Sequence, residues 1–168
     1  MMPRIWVSIG SNIERESHVR AALVELRALF GDLIVSPVYE AQAVGFDGPP
    51  FFNLVVGFDS ELPPATLHGM MREIESRHGR DRGGANVGSR TLDLDVLTYG
   101  DQVTEEGGKP LPRDEILEYA FVLAPLADVA GGEQHPVLGE SYADLWARMA
   151  AETGQRLQRV DGLTWLQD

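Results

Sequence analysis

Apolar residues follow two spacings along this chain, and the shorter spacing predicts strands. Short runs rich in β-branched and aromatic residues lie at 4–9, 33–39, 51–59 and 90–96, and each predicts a strand because it ends at polar or glycine-containing turns. A further short run at 157–160 predicts a last strand. The polar turn Gly10-Ser11-Asn12 ends the first strand, where the glycine allows the backbone to approach a ligand.

The longer spacing predicts helices between these strands. The first helix has apolar residues one helical turn apart, at Val19, Ala22, Leu23, Leu26 and Phe30, and Gly31 follows as a stop. The second helix has prolines in its first turn, an apolar stripe and a final glycine, at Pro63, Pro64, Leu67, Met70, Met71, Ile74 and Gly79. Leu145 and Met149 indicate a closing helix.

The strand at 90–96 carries the clearest candidate chemistry. Because successive side chains of a strand point to opposite faces, one face is apolar, with Leu92, Leu94 and Val96, and the other is polar, with Thr91, Asp93 and Asp95. The two carboxylates lie about 6.5–7 Å apart, so they can converge on one divalent cation or bracket two that are about 3.5–4 Å apart. The alternative is an edge strand with two solvated acids.

A loop rich in glycine and arginine precedes this strand. It contains Arg80, Arg82 and Arg90, in a chain with 14 basic residues. Guanidinium groups bind phosphate oxygens in pairs, and Mg²⁺ takes carboxylate and phosphate oxygens together. The loop and the two aspartates therefore suit a polyphosphate with its magnesium. The alternative is that these arginines pair with the surplus acids of the chain.

A second candidate site follows the loop at 41–50, which contains Gly45, Gly48 and paired prolines and has the length of a lid. Phe51 and Asn53 come directly after it and share one face of the next strand. An aromatic ring and an amide together can hold a flat heterocycle. The alternative is that Phe51 and Phe52 belong to the core and that Asn53 caps the turn.

Composition excludes several classes of protein. The 168 residues, 43% of them hydrophobic, predict a single domain spanning 1–168. The net charge of −12 argues against binding to nucleic acid or anionic membranes. No cysteine is available for a thiolate metal site, and His135 has no partner at ligand spacing, so we expect a turn histidine. The apolar run at the N-terminus is too short for a signal peptide, which predicts a cytoplasmic protein.

The motifs together resemble one family, the 6-hydroxymethyl-7,8-dihydropterin pyrophosphokinases of folate synthesis. The resemblance runs from Val7 to about Pro125 and rests above all on Arg90-Thr91-Leu92-Asp93-Leu94-Asp95. Further matching motifs are Gly10-Ser11-Asn12, Ser36 to Tyr39, Gly45, Phe51-Phe52-Asn53, Ile74-Glu75, Gly79-Arg80, Tyr99-Gly100 and Phe121 to Leu126. No glycine-rich phosphate loop of the P-loop type is present.

The resemblance implies a ferredoxin-like α/β fold, with helices on one face of an antiparallel sheet, in a monomeric enzyme. It implies transfer of the pyrophosphoryl group of MgATP to the hydroxymethyl group of the reduced pterin, with release of AMP. The implied metal ligands, for two Mg²⁺ ions, are Asp93 and Asp95, the latter also catalytic. The implied ATP contacts are Arg80, Arg82, Arg90, Val96 and Arg113, the first three also catalytic, and the implied pterin contacts are Val44, Phe51, Asn53 and Phe121.

The chain departs from the family pattern at three places. Val87-Gly88-Ser89 stands where the family has Trp-Gly-Pro, Arg113 stands in place of a histidine, and Tyr119 in place of an arginine. We expect Arg113 to take over the positive charge missing at Tyr119; the alternative is that it only pairs with Asp114, Glu115 or a helix end. Two other functions stay open: a magnesium-dependent kinase of another small alcohol, and a pterin- or nucleotide-binding protein without catalysis.

Overall fold

The computed structural model describes residues 2–79 and 91–167. Its strands are β1 (Arg4–Ser11), β2 (Ile34–Val35), β3 (Val38–Ala41), β4 (Phe51–Asp59), β5 (Asp93–Tyr99) and β6 (Leu157–Val160). Its helices are α1 (Arg15–Phe30), α2 (Pro64–Arg77), α3 (Glu115–Glu118), α4 (Ala120–Ala130) and α5 (Tyr142–Glu152), with a short 3₁₀ turn at Glu106–Gly108. The predicted helices and strands are thus confirmed within the described residues, although the predicted strand at 33–39 is divided in two and the strand predicted at 90–96 runs from Asp93 to Tyr99.

The division lies at Ser36 and Pro37, between β2 and β3. Proline has no backbone N–H to donate to a strand partner. Ser36 compensates through its side chain, since its hydroxyl accepts a hydrogen bond from the Val55 N–H at 2.8 Å and donates one to the Pro37 carbonyl at 2.8 Å. The chain can therefore leave and rejoin the sheet while staying attached to β4.

All strand pairs are antiparallel, in the order β5-β1-β4-β3-β6, and β2 adds to β4. β1 and β4 are the longest strands and lie at the centre. β5, which carries the two aspartates, pairs only with β1 among the described strands. It therefore forms an edge, and its outer side is open to other parts of the chain.

Alternate residues of the central strands pack against different helices. Ile5, Val7 and Ile9 of β1 belong to a core cluster with α1 and α2, whereas Trp6 of β1 belongs to a second cluster with α4 and α5. The predicted antiparallel sheet with packed helices is confirmed, but helices cover both faces, not one. Both faces are covered because the central strands carry apolar side chains on each side of the sheet. In the described part of the chain, no helix is long and apolar enough to cross a membrane.

Candidate active site

A row of residues across three strands forms the floor of the site. The strand register places Gly10 of β1 directly between Asn53 of β4 and Asp93 of β5. Neighbouring strands are about 4.8 Å apart, so the amide and the carboxylate flank the glycine on one face of the sheet. A Cβ at Gly10 would lie 3.3 Å from Asn53 Oδ1 and 3.8 Å from the Phe51 ring. The missing side chain therefore keeps the floor open.

A cavity of about 330 Å³ lies above this floor, which is within the size range of small-molecule sites. All four residues with an implied pterin contact line it, namely Val44, Phe51, Asn53 and Phe121. The loop before β4 contributes Val44 and Phe46, and the first turn of α4 contributes Phe121. The structure thus brings together residues that are up to 77 positions apart in the sequence.

Asn53 is buried, with 7% of its surface exposed, and its Nδ2 has no hydrogen-bond partner among the described residues. An unpaired buried donor is unfavourable by about 1–3 kcal/mol, so a ligand that accepts from it would be stabilised. Of the two phenylalanines, Phe52 is in the core while Phe51 lines the cavity. The interpretation of both rings as core residues is therefore wrong for Phe51.

A second cavity, of about 370 Å³, adjoins the first and is much more polar. The two share four residues, Asp93, Asp95, Glu115 and Tyr119. The second cavity also contains Arg72, Lys109 and Arg113, beside the buried His68. The first cavity is suited to an aromatic ring, the second to a charged group, and the two aspartates stand where they meet.

The aspartates are partly exposed and accessible from both cavities. Asp95 Oδ1 accepts a hydrogen bond from Lys109 Nζ at 3.2 Å, in a pair whose side chains are 25% and 29% exposed. No cluster of three acidic, histidine or cysteine ligands occurs within residues 2–79 and 91–167. Two carboxylates alone leave most positions around Mg²⁺ open, which suits an ion whose other ligands are water and phosphate oxygens.

Arg113 is positioned by both its backbone and its side chain. Its N–H donates to the Leu97 carbonyl on the outer side of β5 at 2.9 Å. Its guanidinium contacts Glu115 Oε2 twice, from Nε at 2.8 Å and from an Nη at 2.6 Å. The pair with Glu115 that the alternative expects is therefore present. Arg113 nevertheless lines the second cavity, so its replacement of the missing cation stays a prediction.

The other implied ATP contacts have different outcomes. Arg80, Arg82 and Arg90 lie outside the described residues, as do Val87, Gly88 and Ser89. Val96 lies in the core with 1% exposure and lines neither cavity. The contact of Val96 with ATP stays a prediction. His135 is the expected turn histidine, since its Nδ1 accepts from the Val137 and Leu138 N–H groups at 3.2 Å.

Two residues of the second cavity, His68 and Lys109, were missed by the sequence interpretation, and a third, Glu75, was noted only as part of a matching motif. Glu75 is buried in α2 and accepts a hydrogen bond from the Leu94 N–H at 2.8 Å, which holds the edge strand. His68, also in α2, is 7% exposed, and its Nε2 has no hydrogen-bond partner within the part of the chain that the structure describes. Burial, followed by the nearby positive charges, lowers its pKa. Lys109 is the only lysine of the chain, so the sequence alone could have marked it as a candidate site residue.

Comparison with known proteins agrees with this geometry. Residues 6–131 match the family described as 7,8-dihydro-6-hydroxymethylpterin-pyrophosphokinase. The chain is 37% identical over 161 residues to the 2-amino-4-hydroxy-6-hydroxymethyldihydropteridine pyrophosphokinase of Pseudomonas aeruginosa, covering 94% of this chain and 98% of that protein. It is 35% identical over 128 residues to the Bacillus subtilis protein of the same name, covering 74% and 76% of the two.

A solved structure shows the same fold. It is the wild-type Plasmodium falciparum HPPK-DHPS with pterin and p-hydroxybenzoate, with a TM-score of 0.72 and 14% identity. The match covers 97% of this chain and 47% of the longer Plasmodium chain. This likeness in fold confirms the predicted fold class.

Proposed function

Because the chain belongs to the 7,8-dihydro-6-hydroxymethylpterin-pyrophosphokinase family, we propose that its two adjoining cavities bind the two substrates of that reaction. The enzyme is an ATP-dependent diphosphokinase of folate synthesis. It transfers the pyrophosphoryl group of ATP to the hydroxymethyl oxygen of 6-hydroxymethyl-7,8-dihydropterin and releases AMP. The observation that carries the assignment of residues is the meeting of an aromatic and a polar cavity at Asp93 and Asp95.

The pterin occupies the first cavity in this proposal. Its ring lies against Phe51 and Phe121, with Val44 at the rim, because flat heterocycles stack on aromatic side chains. Asn53 offers its unpaired Nδ2–H to an acceptor on the edge of the ring. Gly10 leaves room beside it. The ring is thereby oriented and held out of water, so that the hydroxymethyl group points towards the two aspartates.

The phosphates of ATP occupy the second cavity. Asp93 and Asp95 fit Mg²⁺ because they are oxygen donors on one strand face, with open space on both sides. Bound magnesium would neutralise phosphate charge and polarise the phosphate oxygens. We propose two such ions, bracketed by the pair. Arg113 adds a fixed guanidinium on the same side, and Arg80, Arg82 and Arg90 keep their predicted role with ATP.

The chemistry requires alignment more than a reactive side chain. The hydroxymethyl oxygen attacks the β-phosphorus of ATP, the bond from that phosphorus to the α-phosphate oxygen breaks, and the hydroxyl proton leaves to solvent. Positioning two reactants side by side and neutralising their like charges can supply most of such an acceleration. The shared wall of the two cavities provides this alignment. A monomeric state and a cytoplasmic location stay predictions.

Product analysis tests the proposal. Purified protein is incubated with ATP, Mg²⁺ and 6-hydroxymethyl-7,8-dihydropterin, and nucleotides are separated by chromatography. We expect AMP in equal amount to pterin diphosphate, with neither product when the pterin is omitted or chelator is added. ADP would indicate an ordinary kinase instead. Binding of both ligands without any product would indicate a non-catalytic binding protein, an alternative that the departures at Arg113 and Tyr119 favour.

A further inference from the structure

The single lysine of the chain lies in the polar cavity, paired with one of the two candidate metal ligands. Lys109 follows the 3₁₀ turn, and its Nζ is 3.2 Å from Asp95 Oδ1. The other 13 basic residues are arginines. Unlike the planar guanidinium of Arg113, which is fixed by two contacts to Glu115, an ammonium group on a flexible stem can change partners easily.

The pair between Lys109 and Asp95 is weak and incompatible with a metal on the same oxygen. The side chains of Lys109 and Asp95 are 29% and 25% exposed, and partly exposed pairs of this kind contribute little. A divalent cation bound to Asp95 would repel an ammonium group at such a distance. Magnesium bound to Oδ1 of Asp95 would therefore release Lys109.

The surroundings limit where the released ammonium can go. Among the described residues that line the second cavity, five are carboxylates and three are basic. Of these carboxylates, Glu115 is bound by Arg113 and Glu75 accepts from the Leu94 N–H. A polyphosphate entering beside the metal would provide a stronger concentration of negative charge than any remaining side chain.

We propose that Lys109 is a phosphate-binding residue that Asp95 holds until magnesium binds. The exchange makes metal and nucleotide binding favour each other, because magnesium frees the ammonium and the polyphosphate takes it up. Lys109 would thereby contact the nucleotide in addition to the arginines. This inference rests on the proposed function of the site, since it requires a polyphosphate in the second cavity.

The proposal is tested first by amine labelling, which a chain with one lysine makes simple. The protein is acetylated with limiting reagent, and modification of Lys109 is followed by peptide mass, with the N-terminal amine as internal reference. We expect magnesium with a non-hydrolysable ATP analogue to slow acetylation of Lys109 about tenfold relative to free protein, and magnesium alone to accelerate it. Unchanged acetylation under saturating metal and analogue, with binding confirmed by calorimetry, would overturn the proposal, as would absence of analogue binding.

Variants provide the second test. Lys109→Met, which keeps the length of the side chain, should raise the KM for ATP about 10- to 100-fold, as expected for a hydrogen bond to a charged group, and leave the KM for the pterin nearly unchanged. Lys109→Arg should recover part of this loss. Arg148→Met is the matched control, because it removes a cation that pairs with Glu140 at 2.8 Å and lines neither cavity of the site. Equal effects on both substrates would contradict a role towards phosphate.

The two proposals can fail separately. Protection of Lys109 needs only metal and nucleotide, whereas formation of AMP also needs the pterin. A wild-type protein that forms AMP without protecting Lys109 would refute the role of the lysine alone. One that protects Lys109 but forms no AMP would refute the proposed reaction and keep the lysine as a nucleotide ligand.

Discussion

Replacing Asp95 by asparagine separates catalysis from folding, because the carboxylate is expected to stabilise the bound metal more than the protein itself. Asn has nearly the same volume and keeps one oxygen, so the strand and its packing should not change. The substitution removes one of the two charges available to Mg²⁺ at the junction of the cavities. We expect turnover at limiting Mg²⁺ to fall at least about 100-fold, the size of effect typical for loss of one electrostatic contact in the transition state.

The expected change in stability is small, since two effects oppose each other. Loss of the partly exposed pair with Lys109 removes about 0–1 kcal/mol. Loss of the repulsion between Asp93 and Asp95, at a separation of about 6.7 Å, raises the free energy of unfolding. The gain is about 0.6 kcal/mol in water and about 2.5 kcal/mol at an effective dielectric constant of 20. The free energy of unfolding without metal should therefore change by between about −0.4 and +2.5 kcal/mol, and the upper end corresponds to a rise in Tm of about 10 °C at most.

The assay combines AMP formation over a magnesium titration with thermal unfolding in chelator and in magnesium with ATP. Asp101→Asn is the matched control, since Asp101 is an exposed acid outside both cavities and the change in charge is the same. A folded Asp95→Asn protein with wild-type turnover at limiting Mg²⁺ would refute the metal assignment. A large drop in its Tm in chelator would instead show that the carboxylate has a structural role.

Three further changes test other parts of the structure. Arg113→Ala should raise the KM for ATP and lower kcat with little effect on the KM for the pterin, and Tyr119→Arg in that background should recover part of the loss. If steady-state kinetics show unchanged ATP parameters for Arg113→Ala, Arg113 does not replace the positive charge missing at Tyr119. Gly57→Ala should lower the free energy of unfolding by about 1–3 kcal/mol, measured by denaturant titration, because its Cβ would lie 2.3 Å from the Trp6 ring. His135→Asn should reduce the loss of stability between pH 7 and pH 5. Burial lowers the pKa of His135, so as the pH falls the unfolded wild-type chain takes up the proton before the folded protein does, which favours unfolding. Asn can accept hydrogen bonds from the same backbone N–H groups but does not titrate. A wild-type slope in the Asn variant would be evidence against this origin.

The sequence predicted the parts of the site that depend on strand alternation. The faces of β5 and the pairing of Phe51 with Asn53 on one face of β4 follow from a period of two, and the structure agrees. The helices on both sides of the sheet had a signal too, because Leu54, Val55 and Val56 form a continuous apolar run, which is typical of a strand covered on both faces.

The second cavity could not be predicted in the same way. His68 comes from α2 and Lys109 from beyond the 3₁₀ turn, and both meet β5 only because they pack along its outer edge. No pattern of neighbouring residues in the sequence predicts that packing. The position of Tyr119 likewise depends on the break between α3 and α4, where its ring stacks on Phe121 with centroids 4.9 Å apart.

The strand order of the sheet determines how late during synthesis the floor of the site can form. β1 is the first strand to be made, yet it lies between β4 and β5, so its two partners emerge only after about 40 and 80 further residues. Such distant pairing requires large loops to close before any contact forms, which slows folding. Gly10 thus waits for Asn53 and then for Asp93. The floor of the site cannot assemble on the ribosome until Asp93, the first residue of β5, has left the exit tunnel.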